Sequence, residues 1–266
     1  DSSTSRGLGD VYKRQGRQRK QKVKESVLRV KSITGTWINL AYKDVRNRYT
    51  NPQSFDNTDP ELWKAKVREL SAMGIEYLVF MEVANEGKAY YPSQLMPWWY
   101  DKDKQSPVEA ILDEAARYDM KVFMSTGWAK DQDDNLQDPA VKQRQLQIME
   151  ELAVFYKNHK AFYGWYLPVE DCLCPIFAEH AVQSVNALTQ KANALTPGKK
   201  TLISPYGIGL SDFDNPEYEK QLAKLKVDII AYQDEVGCVR NKFMLPRLKK
   251  TWQRLRDIHN LSLIHI

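Results

Sequence analysis

Histidine and cysteine are scarce in this 266-residue chain, which holds four of the first and three of the second. An odd cysteine count gives no disulfide framework. Cys172-Leu173-Cys174 also lacks the two-residue gap of a zinc knuckle or a thioredoxin-like motif. With so few histidines, no His-based metal site is expected, and no cofactor is called for. No apolar run approaches the ~20 residues needed to span a bilayer. Glycine-rich phosphate cradles are missing too, since Gly35 begins no GxGxxG.

A basic surface is also lacking, despite a formal charge of +5. Residues 16–31 (GRQRKQKVKESVLRVK) hold seven basic groups and one acid, and residues 1–15 hold three basic and two acidic groups. Everything after them carries a net charge of about −2, which leaves no nucleic-acid footprint. The basic run of 16–32 reads as a solvated linker or edge segment rather than an RNA- or membrane-binding arm.

Both ends lack the periodicity of an element. Residues 1–15 (DSSTSRGLGDVYKRQ) and 261–266 (LSLIHI) resemble translated sequencing-adapter read-through from a metagenome and are set aside from the fold. On this expectation the gene was interrupted at both ends and any export signal was lost. Roughly 245 residues remain, enough for one sizeable domain, read here as residues 33–260.

What is present is one grammar, repeated. A short apolar strand leads to a polar or aromatic loop, then to an amphipathic helix. The strands expected are Ile33–Leu40, Ile75–Ala84, Lys121–Thr126, Phe162–Val169, Lys200–Pro205 and Asp228–Tyr232. Their Val, Ile, Phe, Tyr and Trp content suits strands buried on both faces. Asp59-Pro60, Ser106-Pro107, Asp138-Pro139 and Asn215-Pro216 each set a capping side chain before a proline at the first helical position. Ser106 and Glu109 have the spacing of a capping box. Pro175 and Pro246 are expected to open two more helices. Helical spacing groups Trp63, Val67 and Leu70; Val108, Ile111, Leu112 and Ala115; and Phe177, Ala181, Val185, Leu188 and Ala192.

Alternating β and α elements imply a parallel sheet with right-handed crossovers. With no dinucleotide fingerprint, a (β/α)8 TIM barrel is favoured over an open doubly wound sheet. Six strand–helix units are present, so the barrel is expected to be truncated at its C-terminal side. The segments leaving the strands carry the polar groups: Asn39 and Tyr42; Glu82 and Asn85; Ser125 and Trp128; Glu170 and Asp171; Ser204 and Tyr206; Gln233, Asp234 and Glu235. Active sites of such barrels form at that end. The three cysteines follow strand ends on the same face, so a bridge from Cys238 to Cys172 or Cys174 is compatible with their positions.

Glycoside cleavage needs two carboxyls, one protonated and one ionised. Phe162-Tyr163-Gly164-Trp165-Tyr166-Leu167-Pro168-Val169-Glu170 ends the fourth strand on a carboxylate. Burial among its aromatic neighbours suits Glu170 as general acid. Asp234 and Glu235 are candidates for the second carboxyl. Glu82 is a further option, preferred as a hydrogen-bonding group to backbone or substrate. The long loop from Asn85 to Gln105 carries Tyr90, Tyr91, Trp98, Trp99 and Tyr100. Flat rings suit the C–H faces of a sugar, and anchoring of the loop explains them equally well. Trp128 and Tyr206 complete the expected pocket, with Asn39, Tyr42, Asp171 and Gln233 as further substrate contacts.

Ile33-Thr34-Gly35-Thr36-Trp37, Ala89-Tyr90-Tyr91-Pro92-Ser93, Gly164 to Glu170, Ser204-Pro205-Tyr206 and Tyr232 to Gly237 together resemble the bacterial family named domain of unknown function 4434. The resemblance implies an exported, periplasmic or secreted, carbohydrate-active barrel with a Glu at strand four. It further implies a carboxylate on a seventh strand that this chain lacks. The function expected is a glycosidase acting on an oligo- or polysaccharide, monomeric at full length. The alternative is a non-catalytic glycan-binding barrel.

Overall fold

The computed structural model describes residues 32–41, 56–127, 137–169, 171–233 and 244–259. By its internal contacts the chain divides between Ser32 and Ile33, and the fold described here is that of the second unit. Its strands are β1 (Gly35–Ile38), β2 (Tyr77–Phe80), β3 (Ala84–Asn85), β4 (Lys88–Ala89), β5 (Lys121–Ser125), β6 (Phe162–Tyr166), β7 (Lys200–Ile203) and β8 (Ile229–Ile230). Its helices are α1 (Pro60–Ala72), α2 (Pro107–Arg117), α3 (Pro139–Tyr156), α4 (Glu179–Leu195), α5 (Pro216–Lys224) and α6 (Met244–His259).

Four helices start where the proline pairs placed them. Asp59 accepts from Glu61 N at 2.9 Å, Ser106 from Glu109 N at 3.1 Å, Asp138 from Ala140 N at 2.8 Å and Asn215 from Glu217 N at 3.0 Å. Each bond satisfies an N–H that the helix leaves without an internal acceptor. Two expected starts are corrected. Pro175 follows a cis peptide bond and lies outside the helix, which begins at Glu179. Pro246 falls inside the first turn of a helix that begins at Met244; a proline there gives up only an N–H that has no intrahelical acceptor.

Six strands form one parallel sheet in the order β1-β2-β5-β6-β7-β8. Every crossover moves one place in the same direction. A doubly wound sheet reverses its strand order at a switch point; this sheet does not, so it is an arc of a (β/α)8 barrel. The assigned strands are shorter than the sequence suggested, but the ladder runs on past their ends. Met81 N reaches Ile38 O at 2.8 Å, Leu167 N reaches Leu202 O at 2.8 Å, and Ala231 N reaches Ile203 O at 2.9 Å.

Two apolar layers follow from the two faces of the sheet. Leu78, Phe80, Val122, Met124, Phe162, Trp165 and Ile203 belong to the layer that also holds the inner faces of the helices. Trp63, Val67, Ile111, Leu112, Val185 and Leu188 meet them there. Val79, Phe123, Tyr166, Leu202 and Ala231 form a second cluster with Trp37 and Tyr163 on the other face. Trp165 is fully buried, and its Nε1 donates to Thr196 Oγ1 at 2.8 Å. A buried indole N–H without such a partner costs about 1–3 kcal/mol. Between β5 and β6 the register slips, so that Val122 opposes Phe162 and Phe123 opposes Gly164. The slip brings Gly164 so close to β7 that a Cβ there would lie 2.4 Å from Lys200 O.

Candidate active site

Side chains alternate faces along a strand with a period of two. Trp37, Val79, Phe123, Leu202 and Ala231 lie in the second cluster. Two residues further along, the same face receives Asn39, Met81, Ser125, Ser204 and Gln233. The concave surface thus turns from aromatic and aliphatic to largely polar at the carboxyl ends of the strands. Trp37 meets Tyr166 edge-on at 6.0 Å just beneath this level. Ser125 Oγ donates to Met81 O and accepts from Gly127 N, both at 3.0 Å. Gln233 Nε2 donates to Ser204 O at 2.9 Å. Ser125 and Gln233 are thereby held in place by neighbouring backbone before any ligand arrives.

Glu82 follows β2 at this end and is only 2 % exposed. Its Oε1 accepts from Ala41 N at 2.7 Å, while Oε2 is buried with no hydrogen-bond partner among the described residues. Burial pushes its pKa from 4.5 up to about 8, against a smaller opposing pull from the Ala41 and Leu40 amides. The carboxyl is therefore mostly protonated at neutral pH. Of the two hydrogen-bonding roles expected from sequence, the one to backbone is observed, and the carboxyl is buried.

The rings of the aromatic loop make contacts of the anchoring kind. Tyr91 is fully buried, and its hydroxyl donates to Glu151 of α3 at 2.8 Å. Glu151 also accepts from Ser93 Oγ and Gln94 N, both at 2.6 Å. This clasp joins the loop to the helical shell and engages the Tyr91 hydroxyl there. Trp98 Nε1 donates to Ser93 O at 2.8 Å, and its ring stacks on Tyr100 at 5.2 Å with Lys102 Nζ 5.4 Å from its centroid. Trp99 Nε1 donates to Asn85 O at 3.0 Å, and its ring stacks on Tyr90 at 6.0 Å with Lys88 Nζ at 4.5 Å. Both indoles are half-buried and already engaged by a phenol and an ammonium. The loop also contains a hairpin that sequence reading missed, β3 pairing antiparallel with β4. Its turn residues Glu86 and Gly87 have φ of 50° and 71°. An X-Gly pair flanked by Asn85 and Lys88 was the available signal.

Asp171 is likewise occupied. Its Oδ2 accepts from Ala178 N at 3.1 Å, at the N-cap of α4, where no local side chain makes a capping bond. Tyr206 is 38 % exposed, and its backbone bridges to Cys172. Of the expected site residues, Asn39, Gln233 and Tyr206 therefore stand at the carboxyl ends of the strands. Tyr42, Trp128, Glu170, Asp234, Glu235 and Cys238 lie outside the described residues. Among the described residues no cluster of three His, Cys, Asp or Glu has the arrangement to hold a metal ion. No described helix is long and apolar enough to cross a membrane.

The chain matches the sequence profile of the family described as Domain of unknown function (DUF4434) over residues 33–263. No curated protein sequence matches it. Among solved structures, it is similar to a candidate alpha-L-fucosidase from Bacteroides thetaiotaomicron, with a TM-score of 0.62 and 18% identity over 86% of this chain and 71% of that one. That likeness is one of fold. A GH10 structure from Paenibacillus barcinonensis aligns with a TM-score of 0.47 and 13% identity, over 85% of this chain and 66% of that one. A GH5_18 variant from Streptomyces cattleya in complex with Manb1-4GlcNAc aligns at 0.46 and 14%, over 73% and 50%. At those scores neither carries weight beyond the first.

Proposed function

The chain belongs to the DUF4434 family, and from that premise we propose that it is a carbohydrate-active glycoside hydrolase whose acid/base residue is Glu170. The observation that supports this most is the change of character on the concave face. Trp37, Phe123, Leu202 and Ala231 give way, two residues later, to Asn39, Ser125, Ser204 and Gln233. Polar groups gathered at the carboxyl ends of parallel strands are where barrel enzymes do chemistry. In the sequence Glu170 comes four residues after the end of β6, directly after buried Val169. The fold likeness to a candidate fucosidase supports the same class, with an L-fucoside among the substrates to try first.

In this proposal Glu170 protonates the leaving glycosidic oxygen. Asp234 or Glu235, or a carboxylate on a further strand, serves as nucleophile or as base toward water. Asn39 and Gln233 orient the sugar hydroxyls. Glu170→Gln tests it. Turnover of an oligosaccharide should fall by a factor on the order of hundreds, because general acid catalysis is lost. A 4-nitrophenyl glycoside, whose leaving group needs little protonation, should suffer less. An undiminished rate on the oligosaccharide would remove Glu170 from the mechanism. Retained glycan binding with no turnover in the wild type would favour a glycan-binding barrel instead.

A further inference from the structure

Leu40 and Ala41, just beyond β1, are gripped from two sides. Glu82 takes an N–H group, its Oε1 accepting from Ala41 N at 2.7 Å, and the neighbouring Leu40 amide also favours the charged carboxyl. Asn57 takes their carbonyls, its Nδ2 lying 2.9 Å from Leu40 O and 3.4 Å from Ala41 O. The same Nδ2 donates to the Tyr90 hydroxyl at 3.2 Å, and Asn57 O accepts from Trp63 Nε1 at 2.9 Å. Little slack remains around Glu82. A Cβ on Gly127 would lie 2.8 Å from Glu82 Cβ, and Gly127 has a φ of +63° that favours glycine in any case.

We propose that Glu82 is a positioning residue of the barrel mouth: with Asn57 it clamps the Leu40–Ala41 backbone and so sets where the preceding residue, Asn39, stands. Its functional consequence rests on the mouth being the glycan site; the clamp itself does not. Glu82 reaches nothing outside the protein at 2 % exposure. It acts through the backbone it holds. Among the described residues, the groups packed against it from β1 and from the turn after β5 are Leu40, Ala41 and Gly127, all uncharged, and the titratable group in the clamp is the Tyr90 phenol, beyond Asn57. Among the described residues, an ionised carboxylate in this site has no cation beside it, and its second oxygen has no donor. The clamp is therefore closed by the neutral acid. Ionisation would strengthen the Ala41 bond but bury an unsolvated charge, so it must draw water into the clamp.

The test is a 1H–15N NMR titration of the full chain between about pH 6 and pH 9.5, bracketing the raised pKa. Wild type, Glu82→Gln and Glu82→Leu are compared. The Ala41 amide of the wild type should titrate with a midpoint near 8. In Glu82→Gln, which keeps a neutral acceptor, it should stay at its low-pH position throughout. In Glu82→Leu the Leu40 and Ala41 amides should exchange faster by on the order of tenfold, as for a lost backbone hydrogen bond. The α2 amides should be unchanged. A wild-type Ala41 amide that does not titrate overturns the proposal, as does unaltered exchange in Glu82→Leu. If the leucine variant fails to fold, the glutamine comparison still decides. Hydrolysis of 4-nitrophenyl α-L-fucoside and β-xyloside is followed in parallel. Loss of KM quality above pH 8 in the wild type and its absence in Glu82→Gln would support the positioning role. The same pH dependence in both would end it. No hydrolysis or binding by any form would end the functional proposal instead, with the amide titration still deciding the clamp.

Discussion

Glu82 and Glu114 are equally buried, at 2 % exposure each, yet the protein surrounds them in opposite ways. Glu114 sits on α2 in the helical shell, between Arg68 Nη1 at 3.0 Å and Arg117 Nη1 at 3.1 Å. Both arginines are themselves substantially exposed. The charge is met by two cations that keep much of their hydration, so the arrangement binds α1 to α2 at little desolvation cost. Glu82, at the mouth, meets only backbone donors and keeps its proton instead. One carboxyl joins elements as an ion; the other holds a loop as a neutral acid. At these two positions the shell meets a buried carboxyl with charge and the mouth meets one with backbone.

The pH dependence of stability breaks or sharpens that contrast most strongly. Glu82 has a folded pKa of about 8 against 4.5 in the unfolded chain. Between those values the folded state binds the extra proton, so its stabilising contribution is full below about 4.5 and lost as pH rises through about 8. Wild-type stability should fall by on the order of a few kcal/mol across that window, and Glu82→Gln should remove most of the slope. Thermal melts at stepped pH values check this, and parallel curves for the two proteins would contradict it. Glu114→Ala is expected next in size. It should destabilise by about 2 kcal/mol in urea unfolding, through two lost charge-assisted bonds.

Tyr91→Phe removes one donor from the Glu151 clasp and should cost about 1 kcal/mol with no change in glycan affinity. An affinity loss would return Tyr91 to the substrate. The smallest effect expected is on affinity in Trp99→Ala. Its ring is already stacked on Tyr90 and faced by Lys88, so the melting temperature should drop while binding changes less than about twofold. A loss of about 1–3 kcal/mol in binding would instead make the ring a sugar platform.

Much of the architecture was legible along the chain. The Asp-Pro, Ser-Pro and Asn-Pro pairs marked four helix starts because a cap and its proline are neighbours in sequence. Pro175 misled because an X-Pro pair also serves a turn, and the N-terminus of α4 takes its cap from Asp171, seven residues before Ala178. The hairpin β3–β4 was hidden inside a loop whose aromatic content suggested a surface for ligands. Asn57 and Glu151 drew no attention at all, since nothing near either residue in the sequence announces the backbone each one holds.

What the sequence determined by itself was local: strand and helix alternation, caps, the apolar faces, and the gathering of polar residues after each strand. These depend on spacings of two to four residues, which the chain carries wherever it goes. Only the tertiary structure decided which polar residues stay available. Glu82 finds Ala41 across 41 positions, and Tyr91 finds Glu151 across 60. Whether a carboxyl is charged, or a ring is open to a sugar, depends on which distant group arrives beside it and on whether water remains there.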